Sequence, residues 1–290
     1  MSEDEEAEGG AGTLLDVRSR LGGDFGTRLV SGLAMGVVAA LVTAAGPVPF
    51  AVLVVVVALL LSWEWGRLVH GREHDIVIAV HVAAAGAAAI LATIGFVGLG
   101  LLALPIGAIL AMLLSLGRNS VFSALGVFYA GLPAVALIWL RSDPALGLLA
   151  VVFVIVIVVV SDTAGFMGGR LLGGPKLWPT LSPNKTWTGF VAAVAASAVV
   201  GALFWFALTE GSAVRLAAAG AMLSLVAQVG DLAESAIKRR FGAKDSSSLI
   251  PGHGGVMDRV DGLVAAATAV GLASFVINVH SPAHALLLGS

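Results

Sequence analysis

Long apolar runs make up most of the chain, and short polar stretches separate them. They cover roughly residues 28–45, 48–66, 76–94, 96–116, 121–140, 146–167, 187–209, 213–235 and 258–278. A helix needs about 20 predominantly apolar residues to cross the hydrocarbon core of a bilayer, so each run is a candidate membrane span. The pattern therefore predicts an all-α integral membrane protein, a polytopic bundle of about nine transmembrane helices.

One of these runs is also compatible with a different element. Residues 151–160 read VVFVIVIVVV, a β-branched stretch that would suit a buried strand. Its length and its continuous apolar surroundings favour a helix, because a segment in lipid must satisfy its backbone hydrogen bonds internally. We therefore expect a membrane helix here.

Composition supports the membrane interpretation and excludes some chemistry. The 290 residues are 58% hydrophobic and only 12% charged, whereas soluble domains contain about a quarter charged residues. Cysteine is absent, which excludes disulfides, thiolate metal sites and cysteine nucleophiles. The net charge of −2 does not indicate nucleic-acid binding, and we expect none.

The distribution of basic residues predicts the orientation. If nine spans begin from a cytoplasmic N-terminus, all of the 16 lysines and arginines except Arg141 and Arg215 lie on the cytoplasmic side. This bias follows the positive-inside rule and places the C-terminus outside. Residues 1–25 begin with the acidic SEDEEAE, unlike the basic start of a signal peptide, and we expect a disordered cytoplasmic tail.

The two halves of the chain differ in their polar residues. We interpret residues 26–145 as scaffold helices and residues 146–290 as the catalytic half, with long cytoplasmic loops at 168–186 and 236–257. Trp63 and Trp65 are typical of an aromatic belt at the membrane surface. Glu64 between them is expected to reach that surface or to pair with Arg67.

Residues 231–261 form a polar island between two apolar runs. Asp231, Glu234, Ser235 and Lys238 recur with the spacing of one helix face. Asp258 and Asp261 share a face of the next helix, so carboxylates from two adjacent helices can converge. Oxygen ligands of this kind suit Mg²⁺, which also binds substrate phosphates.

Two further segments carry residue types that bind metals or phosphate. Asp162 follows an apolar run and is expected at the cytoplasmic end of its span, lined up with a metal or a basic partner. Pro183 suits the first turn of a helix with Ser182 as its cap. The N–H groups of such a helix start favour phosphate, to which Lys185 and Thr186 would add a charge and a hydroxyl donor.

The island then carries a specific resemblance. Ser235-x-x-Lys238-Arg239, Lys244-Asp245 and Pro251-x-His253-Gly254-Gly255-x-x-Asp258-Arg259-x-Asp261 resemble the signature of the phosphatidate cytidylyltransferase (CDP-diacylglycerol synthase) family. Residues 161–164, 182–189 and 228–231 also resemble upstream features of that family, although Asn184 and Thr188 depart from its usual Lys and Glu. The motif resemblance covers about residues 160–262.

The resemblance implies a reaction and a role for each residue. CTP and phosphatidate would give CDP-diacylglycerol and pyrophosphate by direct attack of the lipid phosphate, without a covalent enzyme intermediate. The implied catalytic residues are Asp231, Asp258, Asp261, Lys238 and Arg259. The implied substrate contacts are Ser182, Lys185, Thr186, Arg239, Lys244, His253, Gly254 and Gly255, and the implied metal ligands are Asp231, Asp258, Asp261 and Asp162.

The resemblance also implies partners and a location. The cofactor would be Mg²⁺, with room for a second metal ion, and the partners would be CTP, phosphatidate and the bilayer. The protein would be a multi-pass protein of the plasma membrane with its site facing the cytoplasm. A homodimer is suggested by the family alone.

Three other functions fit parts of the sequence. A CTP-dependent lipid or polyprenol kinase would keep the metal and nucleotide residues but transfer a different phosphoryl group. A CDP-alcohol phosphotransferase needs D-G-x-x-A-R and later aspartates, which do not follow Asp261-Gly262. A transporter would show midplane charges and matching halves, whereas here the polar residues cluster at one face.

Overall fold

Helices account for nearly all of the regular structure. A computed structural model describes residues 36–250 and 254–290. Its helices are α1 (Gly36–Ala45), α2 (Pro47–His70), α3 (Ile76–Thr93), α4 (Val97–Leu114), α5 (Ser120–Arg141), α6 (Gly147–Leu172), α7 (Trp187–Leu203), α8 (Ala213–Arg240), α9 (Met257–Ile277) and α10 (Pro282–Leu287). An antiparallel hairpin of β1 (Lys176–Trp178) and β2 (Ser182–Thr186) connects α6 to α7.

The prediction of an all-α polytopic membrane protein is confirmed. Within the described residues, the eight helices α2 to α9 are long and apolar enough to cross a membrane. The β-branched run 151–160 is helical within α6, as expected. The first predicted span, 28–45, is described only from residue 36 onward. The acidic segment 1–25, Arg28 and His253 lie outside the described residues.

Local sequence explains where several helices begin and end. Pro47 occupies the first turn of α2, where its missing N–H is not needed. Gly71 ends that helix with a φ of 65°, a left-handed conformation that glycine adopts readily. Asp75 then caps α3 by accepting a hydrogen bond from Val77 N at 3.1 Å.

The loops that precede α7 and α9 are shorter than predicted. The last turns of α6 and α8 extend to Leu172 and Arg240, so the connecting segments are 173–186 and 241–256 rather than 168–186 and 236–257. As a result, Arg170 and Lys238 lie on helices and not on loops. Their positions are therefore set by helix packing.

Helix packing divides the bundle into two groups joined by α9. Helices α2 to α5 pack on one another, and helices α6 to α8 form a second group. Helix α9 packs against α8 and α6 on one side and against α5 and α2 on the other. The two groups thus meet along the helix that carries Asp258 and Asp261.

Long-range contacts identify which helix ends lie together. The α4–α5 turn donates from Asn119 Nδ2 to Val69 O at 3.3 Å, and Ser123 Oγ lies 2.8 Å from His70 Nε2. Because consecutive spans alternate in direction, the 173–186 and 241–256 segments lie at this same end, which we call the site end. The described lysines and arginines lie here except for Arg141 and Arg215.

The opposite end is closed by polar contacts to backbone. Arg141 donates to Thr43 O at 3.3 Å, and Arg215 donates to Leu287 O at 2.7 Å. Asp143 accepts from Ala145 N and Leu146 N, which immediately precede α6, and lies 3.0 Å from His284 Nδ1. Burial would raise the pKa of the Asp143 carboxyl, but these N–H groups and His284 outweigh burial and lower its pKa.

Glycines allow α7 and α8 to approach until their backbones touch. A Cβ added at Gly220 would lie 2.3 Å from Ser197 O, and one at Gly201 would lie 2.4 Å from Leu216 O. Backbone atoms cannot move aside as a flexible side chain can. Close crossings at small residues are a usual way for helices to associate in lipid, where no hydrophobic driving force acts between them.

We therefore expect Gly220→Ala to destabilise the protein, at a typical overpacking cost of about 1–3 kcal/mol. Gly98→Ala is the matched control, because Gly98 lies inside α4 and nothing lies within 4 Å of an added Cβ there. The readout is the thermal midpoint of the detergent-solubilised protein, followed by size-exclusion chromatography after heating. Equal midpoints for the two variants would contradict the tight crossing.

Candidate active site

A cavity with charged residues in its lining opens at the site end between α6, the hairpin, α7 and α8. Its volume is about 510 Å³. The charged and amide-bearing residues that line it are Asp162, Arg170, Lys176, Asn184, Lys185, Gln228 and Asp231. Apolar side chains such as Phe166 and Phe190 complete the wall. The cavity thus combines cations and carboxylates beside the lipid-facing surface of the bundle.

The hairpin places Lys185 in this cavity, and it corrects one prediction. Ser182 and Pro183 do not start a helix: residues 182–186 form strand β2, and the helix begins at Trp187. Thr186 is the cap, since its Oγ1 accepts from Gly189 N at 3.1 Å. Ser182 does not cap a helix because its strand pairs with β1, where Ser182 lies opposite Trp178.

This change of element alters what each residue can contribute. Ser182 lies at the turn of the hairpin and is not part of the cavity lining, whereas Lys185 and Thr186 both line it. The ammonium group of Lys185 contacts the Asp231 carboxylate on α8. An ion pair therefore joins the hairpin to the helix that carries the carboxylates.

Glycines let α6 and α7 approach closely next to the cavity. A Cβ added at Gly189 would lie 2.5 Å from Gly165 O, and one at Gly169 would lie 2.8 Å from Thr186 Oγ1. The hydroxyl of Thr188 donates to Gly173 O and so ties the start of α7 to the end of α6. The backbones of α6 and α7 are therefore in close contact where they form one wall of the cavity.

A chain of buried polar groups runs from the lining of the cavity into the bundle. Ser161 Oγ is 2.8 Å from Ser224 Oγ, and Gln228 Nε2 donates to that hydroxyl at 3.3 Å. Ser161 and Ser224 are fully buried, and Gln228 is nearly so. Buried polar groups need such partners, because an unpaired one costs about 1–3 kcal/mol. The chain links α6 to α8 at the depth of Asp162.

Three carboxylates converge beside the cavity on α8 and α9. Asp231, Glu234 and Asp261 each offer an oxygen, and these oxygens lie within 4.8 Å of one another. Glu234 is 1% exposed, its Oε2 lies 2.8 Å from Lys238 Nζ, and its Oε1 has no hydrogen-bond partner among the described atoms. Like charges this close repel, and a divalent cation would relieve that repulsion. The donor set therefore fits Mg²⁺.

The trio differs in part from the predicted ligand set. Asp231 and Asp261 belong to both sets, and Asp162 lines the cavity with Asp231 without joining the trio. The sequence placed Glu234 on the same helix face as Asp231 but did not assign it as a ligand. Its burial, which brings it against Asp261, could not be predicted from α8 alone.

Asp258 has a different environment from the trio. Its Oδ2 accepts from Gly255 N at 2.8 Å, from Ser246 N at 2.9 Å and from Ser246 Oγ at 3.0 Å. Its Oδ1 accepts from Lys238 Nζ at 2.6 Å. Its oxygens are thus satisfied by protein donors, which leaves little capacity for a metal. Its metal-ligand role stays a prediction from the resemblance.

Lys238 connects this aspartate to the trio. Its ammonium group lies 2.6 Å from Asp258 Oδ1 and 2.8 Å from Glu234 Oε2. The predicted phosphate binder is therefore held between two carboxylates, one on each helix. Arg239, Lys244 and Arg259 are exposed at the same end.

The two signature glycines lie where only glycine fits without a shift. Gly254 has a φ of +83°, and its carbonyl oxygen accepts from Ile250 N at 2.8 Å. A Cβ added at Gly255 would lie 2.0 Å from Ser246 Oγ and 2.4 Å from Glu64 Oε1. The backbone at Gly255 is thus pressed against side chains of the protein itself.

Glu64 corrects the interpretation of the first half. It is fully buried and neither reaches the membrane surface nor pairs with Arg67. Its carboxylate instead accepts from Val256 N at 2.9 Å and from Met257 N at 2.7 Å, at the start of α9. An acid inside an apolar run was the only sign of this role in the sequence. The partners of Glu64 lie about 190 residues further along the chain.

The aromatic-belt prediction is also wrong for Trp65. Its side chain is 1% exposed and donates from Nε1 to Phe122 O at 2.8 Å. Its ring packs on Tyr129 at a centroid distance of 4.7 Å. Trp63, by contrast, keeps contact with the Arg67 guanidinium at 5.5 Å. One face of this part of α2 therefore points into the bundle.

The chain is similar to known proteins over most of its length. Residues 26–277 match the model of the cytidylyltransferase family. The chain is 38% identical over 244 residues to the phosphatidate cytidylyltransferase of Brucella suis, covering 83% of this chain and 90% of that protein. The corresponding protein of Brucella abortus is 37% identical over the same share. That of Staphylococcus saprophyticus is 38% identical over 144 residues, covering 49% of this chain and 54% of that protein.

The contrast between the trio and Asp258 gives a prediction about metal binding. We expect Asp231→Asn and Asp261→Asn to weaken Mn²⁺ binding at least tenfold, since each removes a charged oxygen ligand from the trio. Asp258→Asn should change the affinity less than threefold, because that carboxylate is occupied by Lys238 and backbone donors. Titration of detergent-solubilised protein with Mn²⁺, followed by electron paramagnetic resonance, measures all three. A loss for Asp258→Asn as large as for Asp231→Asn would contradict the assignment.

Proposed function

This chain belongs to the cytidylyltransferase family, and we propose that it transfers the cytidylyl group of CTP to phosphatidate, giving CDP-diacylglycerol and pyrophosphate for phospholipid synthesis. It is thus a nucleotidyltransferase. The observation that carries the proposed substrates is the cavity at the site end. Both substrates carry phosphate groups, and the cavity brings basic side chains and metal-binding carboxylates together beside lipid.

The proposed reaction is a direct displacement. A phosphate oxygen of phosphatidate attacks the α-phosphorus of CTP, a new P–O–P bond forms, and the bond to the β-phosphate oxygen breaks as pyrophosphate leaves. The protein supplies alignment and charge stabilisation rather than a covalent partner. None of its side chains has to act as a nucleophile.

Lys185 is the proposed binder of phosphate in the cavity. It reaches the cavity from β2, and its contact with Asp231 holds the ammonium group where an anionic substrate would enter. Binding of a phosphate would let the ammonium group exchange part of its contact with Asp231 for the substrate. Arg170 and Lys176 line the same cavity and extend its positive lining toward the membrane surface.

Lys238 does not line the cavity, and we propose that it acts on the site through the carboxylates that it contacts. Its two carboxylate partners, Glu234 and Asp258, fix the ammonium group between α8 and α9. A lysine held in this way is a fixed positive charge that needs no reorganisation when negative charge develops on the transferring phosphate. Asp258 thereby orients Lys238 rather than acting on the substrate itself.

Asp231, Glu234 and Asp261 are the proposed holders of Mg²⁺, and Asp162 would serve a second ion at the other side of Asp231. When bound, Mg²⁺ supplies Lewis-acid charge neutralisation for phosphate oxygens. The residues themselves keep three negative groups at one point, which makes the binding of a cation favourable before substrate arrives.

The surroundings of the cavity suit a lipid substrate. Phe166, Leu171 and Leu172 are exposed on α6 beside the cavity. Acyl chains could therefore remain in the bilayer while the headgroup enters among the basic residues. The site would face the cytoplasm, as the distribution of basic residues indicates, and the membrane would be the plasma membrane, as the family resemblance implies. Assembly as a homodimer remains a proposal from the family alone.

The test supplies membranes containing the overproduced chain with phosphatidate, Mg²⁺ and labelled CTP, and separates the lipid products by thin-layer chromatography. We expect labelled CDP-diacylglycerol that is lost when EDTA removes the metal. Absence of product from the wild type would overturn the function. Transfer of the γ-phosphate to a lipid, with release of CDP, would identify a CTP-dependent lipid kinase instead.

The same assay tests the assigned residues. We expect Asp231→Asn and Lys185→Met each to lower the initial rate by about 10²-fold or more, a typical loss when one electrostatic stabiliser of a transition state is removed. Glu210→Gln is the control, because this exposed carboxylate lies in the α7–α8 loop at the opposite end. Rates for Asp231→Asn within twofold of the wild type would contradict its role.

A further inference from the structure

Glu64 lies in the half of the chain that carries no signature motif, yet it contacts the signature segment. It belongs to α2, and its side chain is completely buried. Its Oε1 accepts from Ser247 Oγ at 2.6 Å and from Val256 N at 2.9 Å. Its Oε2 accepts from Met257 N at 2.7 Å and lies 3.3 Å from Ser246 Oγ. One carboxylate thus joins the segment 246–250 to the start of α9.

The amides that Glu64 accepts are among those that a helix cannot satisfy itself. The first four N–H groups of a helix have no partner within the helix, and they favour negative charge. At the start of α9, Gly255 N is bound by Asp258, while Val256 N and Met257 N are bound by Glu64. Two carboxylates, one from α9 and one from α2, therefore share the capping of this helix.

Ser246 places these two carboxylates in one network. Its backbone N and its hydroxyl both donate to Asp258 Oδ2, and the hydroxyl also lies close to Glu64 Oε2. Asp258 in turn holds Lys238 at 2.6 Å. A displacement of Glu64 would consequently change the position of Lys238 through Ser246 and Asp258.

The Glu64 carboxylate is also tightly enclosed by neighbouring atoms. A Cβ at Gly255 would lie 2.4 Å from Glu64 Oε1, so this glycine is required for the carboxylate to reach the two amides. The signature glycine thus has a partner that the signature does not contain. The missing side chain of Gly255, just before α9, leaves the space that the Glu64 carboxylate of α2 occupies.

We propose that Glu64 is a positioning residue for nucleotidyl transfer: its buried carboxylate fixes the segment 246–250 on the start of α9 and so sets Asp258 and Lys238. This proposal rests on the function proposed above. Glu64 touches neither the cavity nor the carboxylate trio, so its effect passes through the segment. The first half of the chain thereby contributes to the site as well as to the scaffold.

The test replaces Glu64 by glutamine, which has nearly the same size but turns one acceptor into an NH₂ donor that faces other donors. Because the chain has no cysteine, a spin label on Ser248→Cys reports the mobility of the segment, and one on Ser142→Cys reports the opposite end. Glu73→Gln is the matched control, an exposed carboxylate in the α2–α3 loop.

We expect Glu64→Gln to lower kcat for CDP-diacylglycerol formation at least tenfold and to increase the mobility of the label at position 248. Mn²⁺ affinity should stay within threefold and the thermal midpoint within a few degrees, because the trio and the helix packing are untouched. The label at position 142 and the activity of Glu73→Gln should not change. Ser247→Ala, which removes one donor to the same carboxylate, should show a smaller loss in the same direction.

Two results would overturn the proposal. One is wild-type turnover in Glu64→Gln with an unchanged label at position 248. The other is a loss of turnover that is matched by equal losses of Mn²⁺ binding and thermal stability, since this is what a purely structural role produces. If Glu64→Gln does not fold, Ser247→Ala decides by the same criteria. If the wild type makes no CDP-diacylglycerol, the proposed function fails, while the label and the Mn²⁺ titration still test the positioning.

Discussion

The site depends on keeping several carboxylates together at one end of an apolar bundle. In surroundings with few water molecules, like charges repel strongly and each unpaired charge is costly. The protein meets this constraint in two ways. Asp258 and Glu64 are satisfied by backbone amides, serine hydroxyls and, for Asp258, the ammonium group of Lys238. Asp231, Glu234 and Asp261 retain oxygens that can bind a cation. Asp231 and Glu234 each also contact a lysine, so the two groups differ in whether an oxygen is left for a metal.

This difference explains why the fold brings its two halves together at α9. That helix begins with amides shared between its own Asp258 and the Glu64 of α2, and one turn later it carries Asp261 toward α8. The apolar packing of α9 against α5 and α8 cannot by itself fix the rotation of the helix, because its alanine and valine surface is similar on several sides. The polar contacts at the first turn of α9 fix the rotation of the helix about its axis. The hairpin performs a comparable task for Lys185, which it brings against Asp231.

The sequence predicted the helices well because membrane helices follow from the length and composition of apolar runs. It predicted that carboxylates of α8 and α9 can converge, because helical spacing is regular. It failed at residues 182–186, where a serine followed by a proline is typical of a helix start but pairing with β1 decided the structure. It also failed at Glu64 and Trp65, whose environments are set by contacts with distant residues. No periodicity within α2 distinguishes a surface acid from one that caps another helix.

The distance along the chain between Glu64 and its partners has a consequence for how the protein is made. Val256 and Met257 follow Glu64 by 192 and 193 residues. At synthesis rates of about 5–20 residues per second, the amides that receive this carboxylate leave the ribosome roughly 10–40 s after it does. During that interval α2 already contains its acid, and the helices that follow must be inserted around it. The completed cap on α9 is therefore among the last contacts to form, and it marks the moment at which the early and late parts of the nascent chain become one structure.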